Sequence, residues 1–167
     1  MKSDLQEVPM GLEQNHELRQ FGQMYRELDE IYHELAVRAG LSDSAFLILY
    51  AMIEIGEGCL QKDIARQYFI SPQTVNSSVR TLLRKGWLYL KPGRKRDMHI
   101  YLTGEGRRIL EERLGPIVAL ENEIFQSMPA DESRTLLDLT RKYLDLYRRK
   151  LNPVSSEAEH RNVPSGP

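Results

Sequence analysis

The 167-residue sequence predicts a mainly helical α+β fold in which one short two-stranded hairpin interrupts a series of helices. Three observations carry that prediction. Apolar residues recur every three or four positions over most of the chain, the mark of amphipathic helices. Near the middle this period gives way to alternation over two short runs, Trp87-Leu88-Tyr89-Leu90 and Met98-His99-Ile100-Tyr101-Leu102. Proline, glycine, serine and threonine stand where helices would start or stop.

Residues 1–11 hold Pro9 and Gly11, show no periodicity and read as a loose arm. Leu18, Phe21, Tyr25, Leu28, Tyr32 and Leu35 then form one apolar stripe on a long helix ending near Ala39 and Gly40. Leu41-Ser42-Asp43 supplies a cap for a second helix, SAFLILYAMIEI, which is apolar nearly all round and therefore buried. Gly56-Glu57-Gly58 ends it. A short third helix is expected over CLQKDIARQYF (59–69), with Leu60, Ile64 and Tyr68 one turn apart. Ser71 caps a fourth, Pro72 fills its first turn where a missing N–H costs nothing, and Gly86 closes it.

The two alternating runs form the hairpin, joined by the basic connection KPGRKR. Thr103 caps a fifth helix running through Ile109, Leu114, Ile117, Leu120 and Phe125, with a kink expected at Pro116. Pro129-Ala130-Asp131 opens a last helix that carries Leu136, Leu139, Tyr143, Leu146 and Tyr147 on one face. The end, NPVSSEAEHRNVPSGP, has almost nothing to bury and is expected to be disordered.

Several function classes find no support. A single cysteine, Cys59, excludes a disulfide framework and a multi-cysteine metal site. His16, His33, His99 and His160 have no metal-ligand spacing. There is no phosphate-cradling glycine loop and no nucleophile elbow, so neither an enzyme nor a cofactor is expected. No apolar run approaches membrane-spanning length and the start has no signal-peptide core, which points to the cytoplasm and to no membrane partner.

Charge is distributed unevenly. The net charge is −1, yet from Ile64 to Arg96 there is no Asp or Glu and there are eight basic residues. The remainder carries all 24 acids against 15 bases. A basic segment on an otherwise acidic chain suits a polyanion. Within it, Val75, Val79, Leu82 and Leu83 fall on the inward face of the fourth helix. The opposite face displays Gln73, Thr74, Ser77, Arg80, Thr81 and Arg84, flanked by Asn76, with Ser71 at the tip. Short polar residues near a helix N-terminus let the backbone approach base edges, and Gln, Asn and Arg can read adenine or guanine through paired hydrogen bonds. An ordinary solvated helix mixes Glu and Asp with its bases; this one does not. Lys91, Arg94, Lys95 and Arg96 cluster at the hairpin tip, where they would meet neighbouring phosphates.

Two short helices followed by a hairpin outline a winged helix-turn-helix. With RTLLRKGWLYL and IYLTGEG the chain resembles the MarR family of bacterial transcription regulators over roughly residues 14–150. The family's Leu-Thr-x-x-Gly signature is matched by Leu102, Thr103 and Gly106. Where family wings carry Asp-x-Arg, this sequence has Arg94 and Arg96, which makes its wing more basic, and Asp97 is left as a partial substitute for the bracing aspartate.

The resemblance implies a repressor binding double-stranded, pseudo-palindromic DNA as a homodimer. The expected organisation is an arm (1–11), a DNA-binding domain (41–103), a dimerisation region of long helices (12–40 and 104–151) and a tail (152–167). Leu18, Phe21, Tyr25, Tyr143, Leu146 and Tyr147 would serve dimerisation. The resemblance also implies a small aromatic or lipophilic effector, for which Tyr25, Tyr32, His33 and Trp87 are the candidate contacts. Some family members sense oxidants, but Cys59 has no basic neighbour in sequence and reads as structural. A winged helix used as a protein-interaction module, without sequence-specific DNA binding, is the alternative.

Overall fold

The computed structural model describes residues 12–94 and 97–151. The arm, Lys95, Arg96 and the tail lie outside the described residues. Element order is α1 (His16–Arg38), α2 (Asp43–Ile55), α3 (Gln61–Gln67), α4 (Pro72–Arg84), β1 (Leu88–Pro92), β2 (Met98–Leu102), α5 (Gly104–Arg113), α6 (Gly115–Ser127) and α7 (Ala130–Leu151). The fold is the mainly helical winged one expected. Two compact units divide the chain, one running to Ile117 and the other starting at Val118.

The capping chemistry explains the boundaries. Ser42 Oγ accepts the Ala45 N–H at 3.3 Å, Ser71 Oγ the Thr74 N–H at 3.0 Å and Thr103 Oγ1 the Gly106 N–H at 2.9 Å. Each satisfies a donor the helix itself cannot pair. Asn15 does the same for α1, accepting from the Leu18 N–H at 2.7 Å. Gly86, with φ +72°, takes the chain out of α4 in a conformation that disfavours any side chain. The expected interruption near Pro116 falls at Leu114, which caps α5 before α6 starts at Gly115.

The third helix departs from expectation. It spans only Gln61–Gln67 rather than 59–69, because the residues before it belong to the sheet. Gly58 N–H donates to Ile100 O at 2.7 Å, Ile100 N–H donates to Cys59 O at 3.0 Å, and Leu60 bridges His99. Backbone groups committed to β2 cannot also close a helical turn. At the other end Phe69 sits at φ +52° and stops the helix.

The hairpin pairs Leu88 with Leu102 and Lys91 with His99 in antiparallel register. Its inner residues Leu88, Ile100 and Leu102 join a core made with Ile48, Leu49, Ile64, Val75, Val79 and Leu82, the last six fully buried. Burying each such side chain is worth about 2 kcal/mol. Of the expected inward face of α4, Val75, Val79 and Leu82 are buried and Leu83 is partly so; Ser78 is buried as well. Cys59 is buried in this core, and burial pushes its thiol pKa up, away from reactive thiolate.

Phe69 is 89% exposed as well as left-handed. Its side chain therefore contributes little packing to offset the strain of that conformation, which is about 1–2 kcal/mol. Phe69→Gly is expected to raise stability by about 0.5–1 kcal/mol after the glycine's larger unfolded-state entropy is counted. A urea midpoint shifted upward checks it; a drop would mean that the ring makes contacts the fold needs.

The second unit is the remainder of α6 and α7. Tyr143 and Tyr147 meet edge to face at 5.1 Å. No residue of the 22-residue α7 is buried, and Leu136, Leu137, Leu139, Leu144, Leu146, Tyr147 and Leu151 are all exposed.

Candidate nucleic-acid interface

At the wing base α5 meets the residues that open β1 through close backbone contacts. Thr103 N–H donates to Trp87 O at 3.0 Å, and Thr103 Oγ1 donates to Gly86 O at 2.7 Å. A Cβ placed on Gly106 would lie 1.9 Å from Trp87 O, so the glycine is what lets α5 seat against the start of β1. Glu57 reinforces the joint, pairing with Arg107 at 2.6 Å and accepting from the Leu102 N–H at 3.4 Å. Arg113 donates to Ala39 O and Gly40 O at 3.1 and 3.3 Å, tying α5 to the end of α1.

On this frame α4 presents Ser71, Gln73, Thr74, Asn76, Ser77, Arg80 and Arg84 as exposed residues, with Thr81 half-buried. The small hydroxyls fold back onto their own helix. Ser71 Oγ and Thr74 Oγ1 lie 2.8 Å apart, Ser77 donates to Thr74 O at 2.9 Å, and Thr81 donates to Ser77 O at 3.1 Å. The first two turns are thus low in profile, which suits close approach to base edges. Arg84 donates to Thr81 Oγ1 at 3.2 Å, while among the described residues no carboxylate pairs with Arg80. Ser77, Arg80, Thr81 and Arg84 share one shallow, open depression.

The wing adds charge. Tyr89 and Tyr101 stack across the strands at 5.5 Å, and the Lys91 ammonium lies over both rings at 5.5 and 4.8 Å. A cation over an aromatic face gains about 0.5–1 kcal/mol at an exposed site, enough to bias where the ammonium rests. Arg94 is exposed at the tip. Asp97 turns its carboxylate toward Lys62 of α3 at 3.5 Å, and its carbonyl accepts the Gly93 N–H at 2.8 Å. It links the wing to α3, so the bracing expected of Asp97 has Lys62 as its partner among the described residues. The expected contacts Lys95 and Arg96 lie outside the described residues.

The four candidate effector contacts do not come together. A cleft of about 450 Å³ between α1 and α2 includes Tyr32 and His33. Tyr25 and Trp87 do not line it. Tyr25 lies two turns before Tyr32 along α1, and Trp87 is held beneath the Lys85 ammonium at 4.6 Å and beside the Arg113 guanidinium at 5.7 Å. The walls come instead from α2, through Phe46, Leu47 and Tyr50, and from Tyr68 at the end of α3. An all-round apolar helix gives no sign in sequence of which side will face a cleft.

His33 Nδ1 lies 2.9 Å from Asp43 Oδ1. That hydrogen bond, with the Asp43 charge and the nearby Glu30 and Glu34, raises the His33 pKa. A raised folded-state pKa means stabilisation that is complete below the ordinary histidine value and disappears as pH rises through the higher one. The melting-temperature difference between the wild type and His33→Gln is therefore expected at about pH 5.5 and absent by about pH 8.5. A difference independent of pH would contradict the assignment.

The geometry is that of a winged helix-turn-helix whose outward helix carries bases and hydrogen-bonding groups but no acid, the arrangement of a DNA-binding protein. Residues 39–96, which span the helix-turn-helix and the start of the wing, match a model of the MarR family. Members of that family are transcription regulators, not enzymes. Among solved structures the chain is similar to NMB1585, a MarR family regulator from Neisseria meningitidis, at 17% identity and a TM-score of 0.73, covering 83% of this chain and 99% of that one. It is similar to the PcaV transcriptional regulator from Streptomyces coelicolor in complex with its natural ligand, at 25% identity and a TM-score of 0.58, covering 74% and 91%. It also shares the fold of MepR from S. aureus in its DNA complex, at 20% identity and a TM-score of 0.61, covering 77% and 94%. A comparison with curated protein sequences found no significant match. Among the described residues no single helix is long and apolar enough to cross a membrane.

Proposed function

We propose that this chain is a cytoplasmic, homodimeric repressor that binds a pseudo-palindromic operator through α4 and the wing, with its DNA affinity adjusted by a small molecule. The acid-free outer face of α4 carries the reading. Gln73, Asn76 and Arg80 would contact base edges, Ser71, Thr74 and Ser77 would let the helix approach, and Arg84, Lys91, Arg94, Lys95 and Arg96 would hold phosphates.

Dimerisation is assigned to residues 12–40 and 104–151, and DNA binding to 41–103. The α7 helix has no buried residue yet exposes an apolar face, and α1 exposes Met24, Tyr25, Leu28 and Ile31. Exposed apolar area on this scale marks an association surface. Leu18, Phe21, Tyr25, Tyr143, Leu146 and Tyr147 would lie in it. Two copies related by a two-fold axis would place their α4 helices about 34–36 Å apart, one turn of DNA. The ligand-bound PcaV structure supports an effector site in this fold.

Hydroxyl-radical footprinting on the intergenic DNA upstream of the chain's own gene tests the reading. Two protected stretches about 10 base pairs apart, each covering one half-site, are expected. Protection with no fixed position would contradict sequence-specific binding and favour the protein-interaction module.

A further inference from the structure

The cleft between α1 and α2 has an uneven chemistry. Tyr32, Phe46, Tyr50 and Tyr68 give it aromatic walls, with Phe46 and Tyr50 in a tilted ring pair at 5.8 Å. Among the described residues its ionisable lining consists of the carboxylates Asp29, Asp43 and Glu54, the Tyr32, Tyr50 and Tyr68 hydroxyls, and one base, His33, with no lysine or arginine. When His33 is protonated it neutralises Asp43, at 2.9 Å, and the charges of Asp29 and Glu54 remain. A volume of about 450 Å³ falls in the range that holds a drug-sized molecule.

We propose that this cleft binds an organic cation with an aromatic or lipophilic body, the rings enclosing the body and the Asp29 and Glu54 carboxylates facing the charge. Aromatic faces attract cations through their ring quadrupole. The same carboxylates repel an aromatic acid of equal size, so the sign of charge, more than shape, selects the ligand.

The site also has a short route to α4. Glu54 accepts the Tyr68 hydroxyl at 2.6 Å. Tyr68 is the C-cap just after α3, and only Phe69 and Ile70 separate it from Ser71, the cap of α4. A bound cation competes with the Tyr68 hydroxyl for Glu54, so occupancy bears on the turn that sets the α4 N-terminus. This part of the inference rests on α4 being the DNA-reading helix; the binding site does not.

Tetraphenylphosphonium and tetraphenylborate, ions of nearly the same shape and opposite charge, test it by calorimetric titration of the full chain without DNA. The phosphonium is expected to bind at least ~10-fold more tightly. Glu54→Gln keeps an acceptor for Tyr68 and is expected to remove most of that preference. Equal affinities, as adsorption to exposed apolar helix faces would give, overturn the proposal, as does a preference unchanged in Glu54→Gln. Repeating the titration with operator duplex present separates the two readings. Duplex release by phosphonium, weakened in Tyr68→Phe, supports the coupling, and release unaffected by that change overturns it. A cation-selective chain with no preference among duplexes would keep the cleft and sink the regulator assignment.

Discussion

Gly106→Ala is expected to cost about 3 kcal/mol or more of stability, and DNA binding with it. The new methyl would lie 1.9 Å from Trp87 O and 2.9 Å from Trp87 C, which are backbone atoms with no rotamer to escape into. Helix α5 would have to move off the wing by more than about 1 Å. That movement strains the Thr103–Trp87 hydrogen bond of 3.0 Å and the Glu57–Arg107 pair of 2.6 Å. Gly104, two residues earlier in the same helix, has nothing within 4 Å of its Cβ position and serves as the control. Gly104→Ala should be neutral or mildly stabilising. Urea denaturation of both variants makes the comparison, and equal costs at the two positions would refute the close-approach account.

Arg80→Ala is expected to reduce discrimination between operator and shuffled DNA by about 1–3 kcal/mol. Among the described residues Arg80 has no carboxylate partner, so its removal leaves no buried charge and little effect on folding follows. Arg94→Ala at the wing tip should behave differently. It should weaken binding to every duplex alike and lower the salt dependence by about one phosphate contact. Titrations of both variants on both duplexes check this. Identical behaviour would show that α4 and the wing do not divide reading from anchoring.

Much of the frame was legible because its determinants are local. Ser42, Ser71 and Thr103 announce helix starts through side chains that bond within three residues. The outer face of α4 was legible for the same reason, since a helix fixes which residues share a side. What escaped depends on contacts distant in sequence. Gly58–Leu60 pairing with β2 has no periodic signature over so few residues, and the short α3 followed from it. Asp97 reaches Lys62 across 35 positions. The cleft draws on α1, α2 and Tyr68 just beyond α3, so its lining of Phe46, Tyr50, Glu54 and Tyr68 beside Tyr32 and His33 could not be read from spacing along the chain. Phe69 gave no warning either, because a left-handed phenylalanine contradicts local preference.

Sequence-specific binding depends on α4 contacting base edges. The most direct measurement is fluorescence anisotropy of the full chain on its own upstream duplex and on a shuffled duplex of equal composition, across a salt series. Phosphate contacts weaken together on both duplexes as salt rises, whereas base contacts leave a ratio between them. A native-duplex preference of ~1,000-fold or more that persists at high salt is expected. Equal affinities that fall together with salt would contradict it.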